Sequence, residues 1–261
     1  MESVTSADGT RIAYQRTGSG PPLILVHGTA SDHSRWEPLA EHLRDNFTLY
    51  ALDRRGRGGS SDGVTYSMEL EYADIAAVAN SIGRPVNIYG HSYGVHCVLG
   101  AAPMIENLNR LVLYEGPFAN GTEITPTPFI EEMEQLIANG KSDQAISKFM
   151  REILKMSEED LEKYRSMPSW QARIEAAPSV PRELRAANGY TFNPDLARRI
   201  RVPTLLLVGG ESLEFFTRSV QELDEALPDS RVHRLDGQMH SADAAAPELV
   251  ADALKNFLLD H

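Results

Sequence analysis

The most informative segment of this chain is the pentapeptide Gly90-His91-Ser92-Tyr93-Gly94. An apolar run from Val86 to Tyr89 precedes it, and small and apolar residues from Val95 to Ala102 follow it. A strand that ends in Gly-x-Ser-x-Gly and turns at once into a helix holds the serine hydroxyl on a tight, exposed turn. The helix N-terminus behind the serine offers N–H groups to a nearby oxyanion. We therefore predict that Ser92 is a nucleophile at the carboxyl edge of a sheet.

Further strands alternate with helical patterns on both sides of this motif. Leu23–Val26 is apolar throughout, as expected of a strand that is buried on both faces. Strands are also predicted at Phe47–Leu52, Leu108–Tyr114 and Pro203–Val208, and an antiparallel hairpin within Ser3–Thr17. Alternating strands and helices predict an α/β fold with a mostly parallel sheet that is covered on both faces. Its ligand site is expected at the carboxyl ends of the strands.

The composition excludes several classes of partner. The chain has 261 residues, of which 42% are apolar and 24% charged, as in an ordinary soluble globular protein. A formal net charge of −12 argues against nucleic acid or an anionic membrane surface as the main partner. Cys97 is the only cysteine, which excludes an internal disulfide and a multi-cysteine metal site. Met1–Thr10 has no apolar signal core, and no stretch approaches the roughly 20 apolar residues of a membrane span. We expect a cytoplasmic monomer or homodimer with a small-molecule substrate.

The alternation of strands and helices stops between residues 117 and 200. Proline and glycine there divide four helical patterns, which lie at Phe129–Asn139, Ser142–Lys155, Ser157–Arg165 and Trp170–Ala177. We predict a helical cap at 117–200, inserted into a core made of residues 1–116 and 201–261. The aromatic and methionine residues of the cap either line the roof of an apolar pocket or pack the cap helices together, and packing is the commoner role.

Four motifs follow one another in an order that resembles the α/β-hydrolase fold. They are His27-Gly28 after a buried strand, Asp53-x-Arg55-Gly56-x-Gly58-x-Ser60, the pentapeptide around Ser92, and Gly237-x-x-His240. The resemblance covers nearly the whole chain. It implies an α/β-hydrolase fold with a central sheet, flanking helices and an inserted helical cap, and it implies a serine nucleophile. An aspartate in place of Ser92 would have indicated an epoxide hydrolase or a haloalkane dehalogenase.

The serine needs a base, and His240 is the predicted one. A serine hydroxyl is a poor nucleophile until a neighbouring group takes its proton, and histidine titrates in the right range. His240 lies in a loop just past the last predicted strand, Arg231–Leu235, from where its ring can reach back to Ser92. His27 and His91 belong to the glycine motifs and are expected to be structural.

The acid behind the histidine is left open between two glutamates. The family often carries an aspartate three residues after the glycine that corresponds to Gly209, and this sequence has Ser212 there. Glu115 ends the strand after the elbow helix, where some family members carry the acid. Glu211 is adjacent to the usual position and is the alternative, and Glu214 ranks below both.

Remaining site residues are expected from the family or from their position. The resemblance implies that the backbone N–H groups of Thr29 and Tyr93 form the oxyanion hole. His33, Trp36 and Trp170 are expected to bind substrate. The three arginines of the Asp53–Asp62 loop either clamp a substrate carboxylate or hold the loop, and the second role is the commoner.

Together these features predict a serine hydrolase that cleaves a carboxylic ester or related acyl bond without a cofactor or metal. Two alternatives remain, because one fold hosts many functions. The first is a non-hydrolytic or C–C bond-cleaving enzyme, such as an acyl transferase, lyase or cyclase. The second is a non-enzymatic ligand receptor on the same scaffold.

Overall fold

The computed structural model describes residues 1–260, which contain one eight-stranded sheet. Its strands are β1 (Glu2–Thr5), β2 (Arg11–Gly18), β3 (Pro22–Val26), β4 (Thr48–Leu52), β5 (Val86–His91), β6 (Leu108–Tyr114), β7 (Thr204–Gly209) and β8 (Ser230–Leu235). Their order in the sheet is β1-β2-β4-β3-β5-β6-β7-β8. The pairs β1–β2 and β2–β4 are antiparallel and the remaining pairs are parallel. The predicted α/β-hydrolase fold is confirmed.

Twelve α-helices surround or cover this sheet in the described part of the chain. They are α1 (Glu37–Leu43), α2 (Met68–Ser81), α3 (Tyr93–Ala101), α4 (Thr127–Ala138), α5 (Ser142–Glu152), α6 (Glu158–Arg165), α7 (Ser169–Ala176), α8 (Val180–Gly189), α9 (Pro194–Arg198), α10 (Glu214–Ala226), α11 (Ala242–Ala245) and α12 (Pro247–Leu259). Within residues 1–260, no helix combines the length and the apolar character that crossing a bilayer requires.

Two hydrophobic clusters lie on opposite faces of the sheet, because successive side chains of a strand point to opposite sides. Leu23 and Leu25 of β3 pack with residues of α1 and α12 on one face. Ile24 and Val26 pack with residues of α2, α3 and α10 on the other. Burial on both faces explains why the central strands are apolar throughout. It also leaves the carboxyl ends of the strands as the place where polar side chains meet.

The segment between β6 and β7, here called the insert, contains helices α4 to α9 and no strand. Four of its helices match the four predicted patterns, whereas α8 and α9 were not predicted. A third hydrophobic cluster belongs mainly to the insert and includes Met133, Phe149 and Trp170. Most apolar side chains of the insert therefore pack its helices against one another.

Candidate active site

Ser92 occupies the strained turn that the sequence predicts. It lies between β5 and α3 with φ 56° and ψ −125°, which is a rare conformation for a residue other than glycine. A Cβ on Gly94 would lie 2.4 Å from the Val26 carbonyl oxygen, and one on Gly90 would lie 3.0 Å from the Gly94 carbonyl oxygen. The Ser92 N–H donates to the Tyr114 carbonyl at 2.8 Å. The small residues of the motif thus allow the close approach that presents the hydroxyl.

A buried carboxylate holds the imidazole of His240. His240 Nδ1 donates to Glu115 Oε2 at 2.7 Å, and Glu115 Oε1 accepts from the Gly209 N–H at 2.6 Å. Glu115 is 1% exposed. Since an ionised carboxylate only accepts, Nδ1 carries the hydrogen and Nε2 keeps the lone pair that a base needs. Of the two glutamates left open by the sequence, Glu115 contacts His240, and Glu211 is exposed to solvent.

The loop that carries His240 is held by neighbours in the core. The imidazole stacks on the Phe216 ring, with centroids 3.9 Å apart and planes inclined by 12°. The Tyr114 hydroxyl donates to the Met239 carbonyl, and His91 Nε2 donates to the His240 carbonyl at 2.7 Å. Burial lowers the pKa of His91 well below its usual range, so His91 is neutral and serves as a donor. These contacts fix the ring of His240 from both sides.

Ser92 and His240 line the same cavity, whose volume is about 30 Å³. Phe149, Met150 and Leu154 of the insert line it from the other side. A neighbouring groove of about 300 Å³ shares Leu154, His240 and Ser241 with the cavity. The small cavity has room for roughly two water molecules, so binding of a substrate requires side chains of the insert to move.

Within residues 1–260, the Ser92 hydroxyl and the His240 ring are not hydrogen-bonded to each other. Catalytic hydrogen bonds often become short and well aligned only once substrate is bound. The two side chains line one cavity in this structure without a direct hydrogen bond between them.

The two N–H groups expected to form an oxyanion hole are free of protein acceptors in the described chain. Neither the Thr29 nor the Tyr93 N–H donates to another residue. A Cβ on Gly28 would lie 2.7 Å from Ser92 Cβ, so the loop that carries Thr29 packs directly against the nucleophile. Tyr93 is the first residue of α3, where N–H groups have no partner within the helix. Their role in binding an oxyanion stays a prediction.

The arginines of the Asp53–Asp62 loop, here called the arginine loop, are buried in ion pairs and do not line the Ser92 cavity. The pairs are Arg54 with Glu71 at 2.7 Å and with Glu183, Arg55 with Asp74 at 2.7 Å and with Asp8 at 3.0 Å, and Arg57 with Glu183 at 2.7 Å. Glu183 belongs to α8, so these pairs tie the core to the insert. The geometry favours the structural role over a clamp for substrate.

Three residues that were expected to bind substrate do not reach this cavity. His33 Nδ1 donates to Asp53 Oδ1 at 2.7 Å, which raises the pKa of His33. Together with Trp36, which packs against Tyr89, His33 lines a separate cavity of about 270 Å³. Trp170 lies in the insert, and its indole N–H donates to Asp143 at 2.9 Å. In each case a partner elsewhere in the fold holds the side chain.

One group among residues 1–260, Asp32, His33 and Asp53, has the spacing of metal ligands. The carboxylate oxygens of this group already accept hydrogen bonds from nearby backbone N–H groups. Asp53 Oδ1 accepts from the His33 N–H and Oδ2 accepts from the Gly59 N–H, both at 2.8 Å. Asp32 Oδ1 accepts from the Ser34 N–H at 2.9 Å. The group is therefore explained by hydrogen bonds within the chain.

The Ser92 cavity is also lined by two arginines that the sequence patterns did not single out. Arg35 precedes α1 and Arg173 belongs to α7, and both side chains are buried. Arg35 Nε donates to Asp243 at 2.9 Å. No local motif surrounds either arginine, and they meet at the cavity only because the insert folds back over the sheet.

The order of the strands, the turn at Ser92 after β5 and the histidine after β8 define a member of the α/β-hydrolase class. The sequence profile described as the Alpha/beta hydrolase family matches residues 23–253. The chain belongs to this family.

Relatives of known activity agree with this class. The chain is 28% identical to 2-(acetamidomethylene)succinate hydrolase of Mesorhizobium japonicum, over 92% of this chain and 89% of the relative. It is 30% identical to N-formylmaleamate deformylase of Pseudomonas putida, over 90% and 88% of the two chains. An alpha/beta hydrolase structure from Sphaerobacter thermophilus superposes with a TM-score of 0.84 at 31% identity, covering 98% of this chain and 100% of the other. These matches support an enzyme with hydrolase activity.

Proposed function

We propose that this protein is a serine hydrolase that cleaves a carboxylic ester or amide of a small substrate through an acyl-enzyme on Ser92. One observation carries the proposal. His240 donates through Nδ1 to the buried Glu115, which leaves Nε2 as the free base in the cavity that Ser92 lines. This is the arrangement that activates a hydroxyl nucleophile.

The proposed reaction follows from these groups. His240 Nε2 takes the proton of Ser92 Oγ while Oγ attacks the carbonyl carbon, and Glu115 stabilises the imidazolium that forms. The N–H groups of Thr29 and Tyr93 bind the oxyanion of the tetrahedral intermediate. The imidazolium then protonates the leaving alcohol or amine as its bond to the acyl carbon breaks. Water, deprotonated by Nε2, releases the acyl group as an acid and restores Ser92.

The insert acts in this proposal as a cap over the acyl group. Phe149, Met150 and Leu154 provide the apolar side of the cavity, which suits a partly apolar substrate. The names of the two relatives describe an N-acyl group on a carboxylic acid, in one case as acetamido and in the other as N-formyl. Amides therefore belong among the test substrates beside esters.

The proposal is tested first by labelling the nucleophile. A fluorophosphonate probe is expected to label the wild-type protein and a Ser212→Ala variant, and to leave Ser92→Ala unlabelled. Hydrolysis of p-nitrophenyl acetate and butyrate, and of an N-formyl amide, is then measured for the same three proteins. Labelling that survives in Ser92→Ala would contradict the proposal. Binding of these compounds without turnover would instead indicate a ligand receptor.

A further inference from the structure

Arg173 is a buried cation that has no carboxylate partner in the described chain. Its side chain lines the Ser92 cavity, and the residue is 5% exposed. Nη1 donates to the Ala30 carbonyl at 3.1 Å, and Nε is buried without an acceptor. Within residues 1–260, no carboxylate oxygen lies within 4.0 Å of its guanidinium. A neutral carbonyl satisfies one N–H group but leaves the charge uncompensated.

Two carboxylates whose charges act on Arg173, those of Asp243 and Asp32, are each hydrogen-bonded to another residue. Asp243 binds Arg35 through Nε at 2.9 Å and through Nη2. Asp32 caps the short helix that begins at His33 and accepts from the Ser34 hydroxyl at 2.6 Å. The pair of Arg35 and Asp243 is neutral in sum, so the cavity wall carries the positive charge of Arg173 in excess.

The electrostatic environment agrees with an unpaired cation. Burial, followed by repulsion from Arg35, lowers the pKa of Arg173 to about 10. Arg173 is therefore still charged at neutral pH. His91, which lines the same cavity, is neutral because burial lowers its pKa well below the usual range. Arg35 also lines the cavity, but Asp243 balances its charge, so Arg173 is the arginine of the cavity wall that lacks a carboxylate partner.

A purely structural role does not account for this arrangement. The Arg173 guanidinium lies 5.4 Å from the centroid of the Tyr164 ring, an interaction that is weak beside the cost of burying an unpaired charge. The arginines of the arginine loop show how this chain holds structural arginines, because each of them has a carboxylate partner. An anion that enters the cavity would give Arg173 the negatively charged partner that the protein itself does not supply.

We infer that Arg173 binds a carboxylate group of the substrate, so that the hydrolysed compound is an acyl derivative that carries an acid group. The inference rests on the proposed function, since it places this acid group and the scissile carbonyl in one small molecule. Because Ser92 and Arg173 line a single narrow cavity, the two groups are separated by a short chain, as in a succinyl half-ester. The planar guanidinium suits a carboxylate, with which it forms two parallel hydrogen bonds.

Binding is tested with succinate as the probe and the uncharged succinamide as its isostere, by calorimetry on the intact protein. The Arg173→Gln variant keeps an N–H donor for Ala30 and removes the charge. Arg151→Gln is the matched control, because Arg151 belongs to α5 beside the cavity-lining Met150 but is half-exposed and pairs with Glu158 on the surface. We expect wild type and Arg151→Gln to bind succinate equally and more tightly than succinamide. Arg173→Gln is expected to bind succinate at least about tenfold more weakly, in line with a lost charge-assisted hydrogen bond.

Two results would overturn the inference. One is wild-type protein that does not prefer succinate to succinamide. The other is a folded Arg173→Gln protein, judged by circular dichroism, that binds succinate as wild type does. Should Arg173→Gln not fold, Arg173→Lys replaces it. That variant keeps the charge without the planar fork and is expected to retain part of the preference for succinate.

Kinetics separate this inference from the proposed function. Mono-p-nitrophenyl succinate and p-nitrophenyl butyrate present the same leaving group with and without a carboxylate. We expect Arg173→Gln to raise KM for the succinate ester by a larger factor than KM for the butyrate ester, and Arg151→Gln to leave both unchanged. Arg173-dependent binding of succinate without turnover of either ester refutes the proposed function alone. Turnover of both esters with equal KM in wild type and Arg173→Gln refutes the carboxylate site alone.

Discussion

The arginine loop and the Ser92 cavity bury the same residue type in opposite ways. In the arginine loop, Arg54 pairs with Glu71 and with Glu183, which brings α2 and α8 together around one guanidinium. At the cavity, Arg173 is also buried, but it donates only to a carbonyl. Burial alone therefore does not distinguish an arginine that stabilises the fold from one that binds a ligand. The presence or absence of a carboxylate partner does.

The same contrast applies to the carboxylates of the site. Glu115 is buried and both of its oxygens are occupied, one by His240 and one by Gly209. Glu211 is exposed two residues beyond Gly209. Substitutions of these charged groups test whether partner and burial together assign each of them its role.

Glu115→Gln is expected to reduce turnover by about 10⁴-fold. The amide nitrogen of glutamine would face His240 Nδ1, which favours the tautomer with its hydrogen on Nε2 and removes the base. The measurement is kcat/KM on p-nitrophenyl butyrate. Glu211→Gln is the control and should leave turnover unchanged. An equal loss in both variants would mean that the contact of Glu115 with His240 does not govern the reaction.

Glu183→Gln is expected to lower the free energy of unfolding by about 3–5 kcal/mol, because it leaves buried Arg57 without a carboxylate and removes one partner of Arg54. Equilibrium unfolding in urea measures the change. Glu134→Gln is the matched control, since Glu134 pairs with Arg185 of the same helix α8 at the surface. That exposed pair should contribute less than about 1 kcal/mol. Equal losses in the two variants would refute the structural role of the arginine loop.

His96 is a buried base that avoids an unpaired charge by staying neutral. It stacks on Tyr190 of the insert, with centroids 4.4 Å apart, and burial lowers its pKa from 6.5 to about 4. The unfolded chain binds the proton first, so stability is complete above pH 6.5 and falls as the pH drops toward 4. The loss amounts to about 3 kcal/mol.

This prediction is checked by urea unfolding of wild type and His96→Phe at pH 7 and pH 4.5. The phenyl ring keeps the stacking on Tyr190 and cannot take a proton. Wild type should lose more stability than the variant between the two pH values. If both lose the same amount, His96 does not contribute to the acid sensitivity of the fold.

Arg173→Met is expected to change the free energy of unfolding by less than about 1 kcal/mol. The substitution removes a buried cation that has no carboxylate partner, and it keeps an apolar side chain of similar length. Arg54→Met is the contrasting variant. It leaves Glu71 and Glu183 without Arg54 and is expected to cost several times more. Thermal and urea unfolding of the two variants should therefore differ clearly. A large loss in Arg173→Met would give Arg173 a structural role and weaken the comparison.

Some features of this protein followed from local sequence. The turn at Ser92 was predictable because its Gly-x-Ser-x-Gly pattern lies within five residues, directly between an apolar run and a helical pattern. The buried strands were predictable because two-sided burial requires continuous apolar runs, as in Leu23–Val26. The order of the motifs then indicated the family, which the match over residues 23–253 confirms.

Other features depended on pairs that are remote in the chain. The choice of Glu115 over Glu211 required the distance from each carboxylate to His240, 125 residues from Glu115 in the sequence. Helix α8, which was not predicted, supplies Glu183, 129 residues beyond Arg54. His33, Trp36 and Trp170 had suitable chemistry for a site, but closer partners hold them elsewhere.

Local sequence was therefore enough to predict the strands of the sheet, the turn at Ser92 and a histidine just past the last strand, because such features leave a pattern within a few neighbouring residues. The folded chain was needed to show which glutamate holds His240, which arginines are paired, and that Arg173 lines the Ser92 cavity without a carboxylate partner. This is because an electrostatic interaction depends on the distance between two groups and on their burial. Both are set when the insert folds over the carboxyl edge of the sheet.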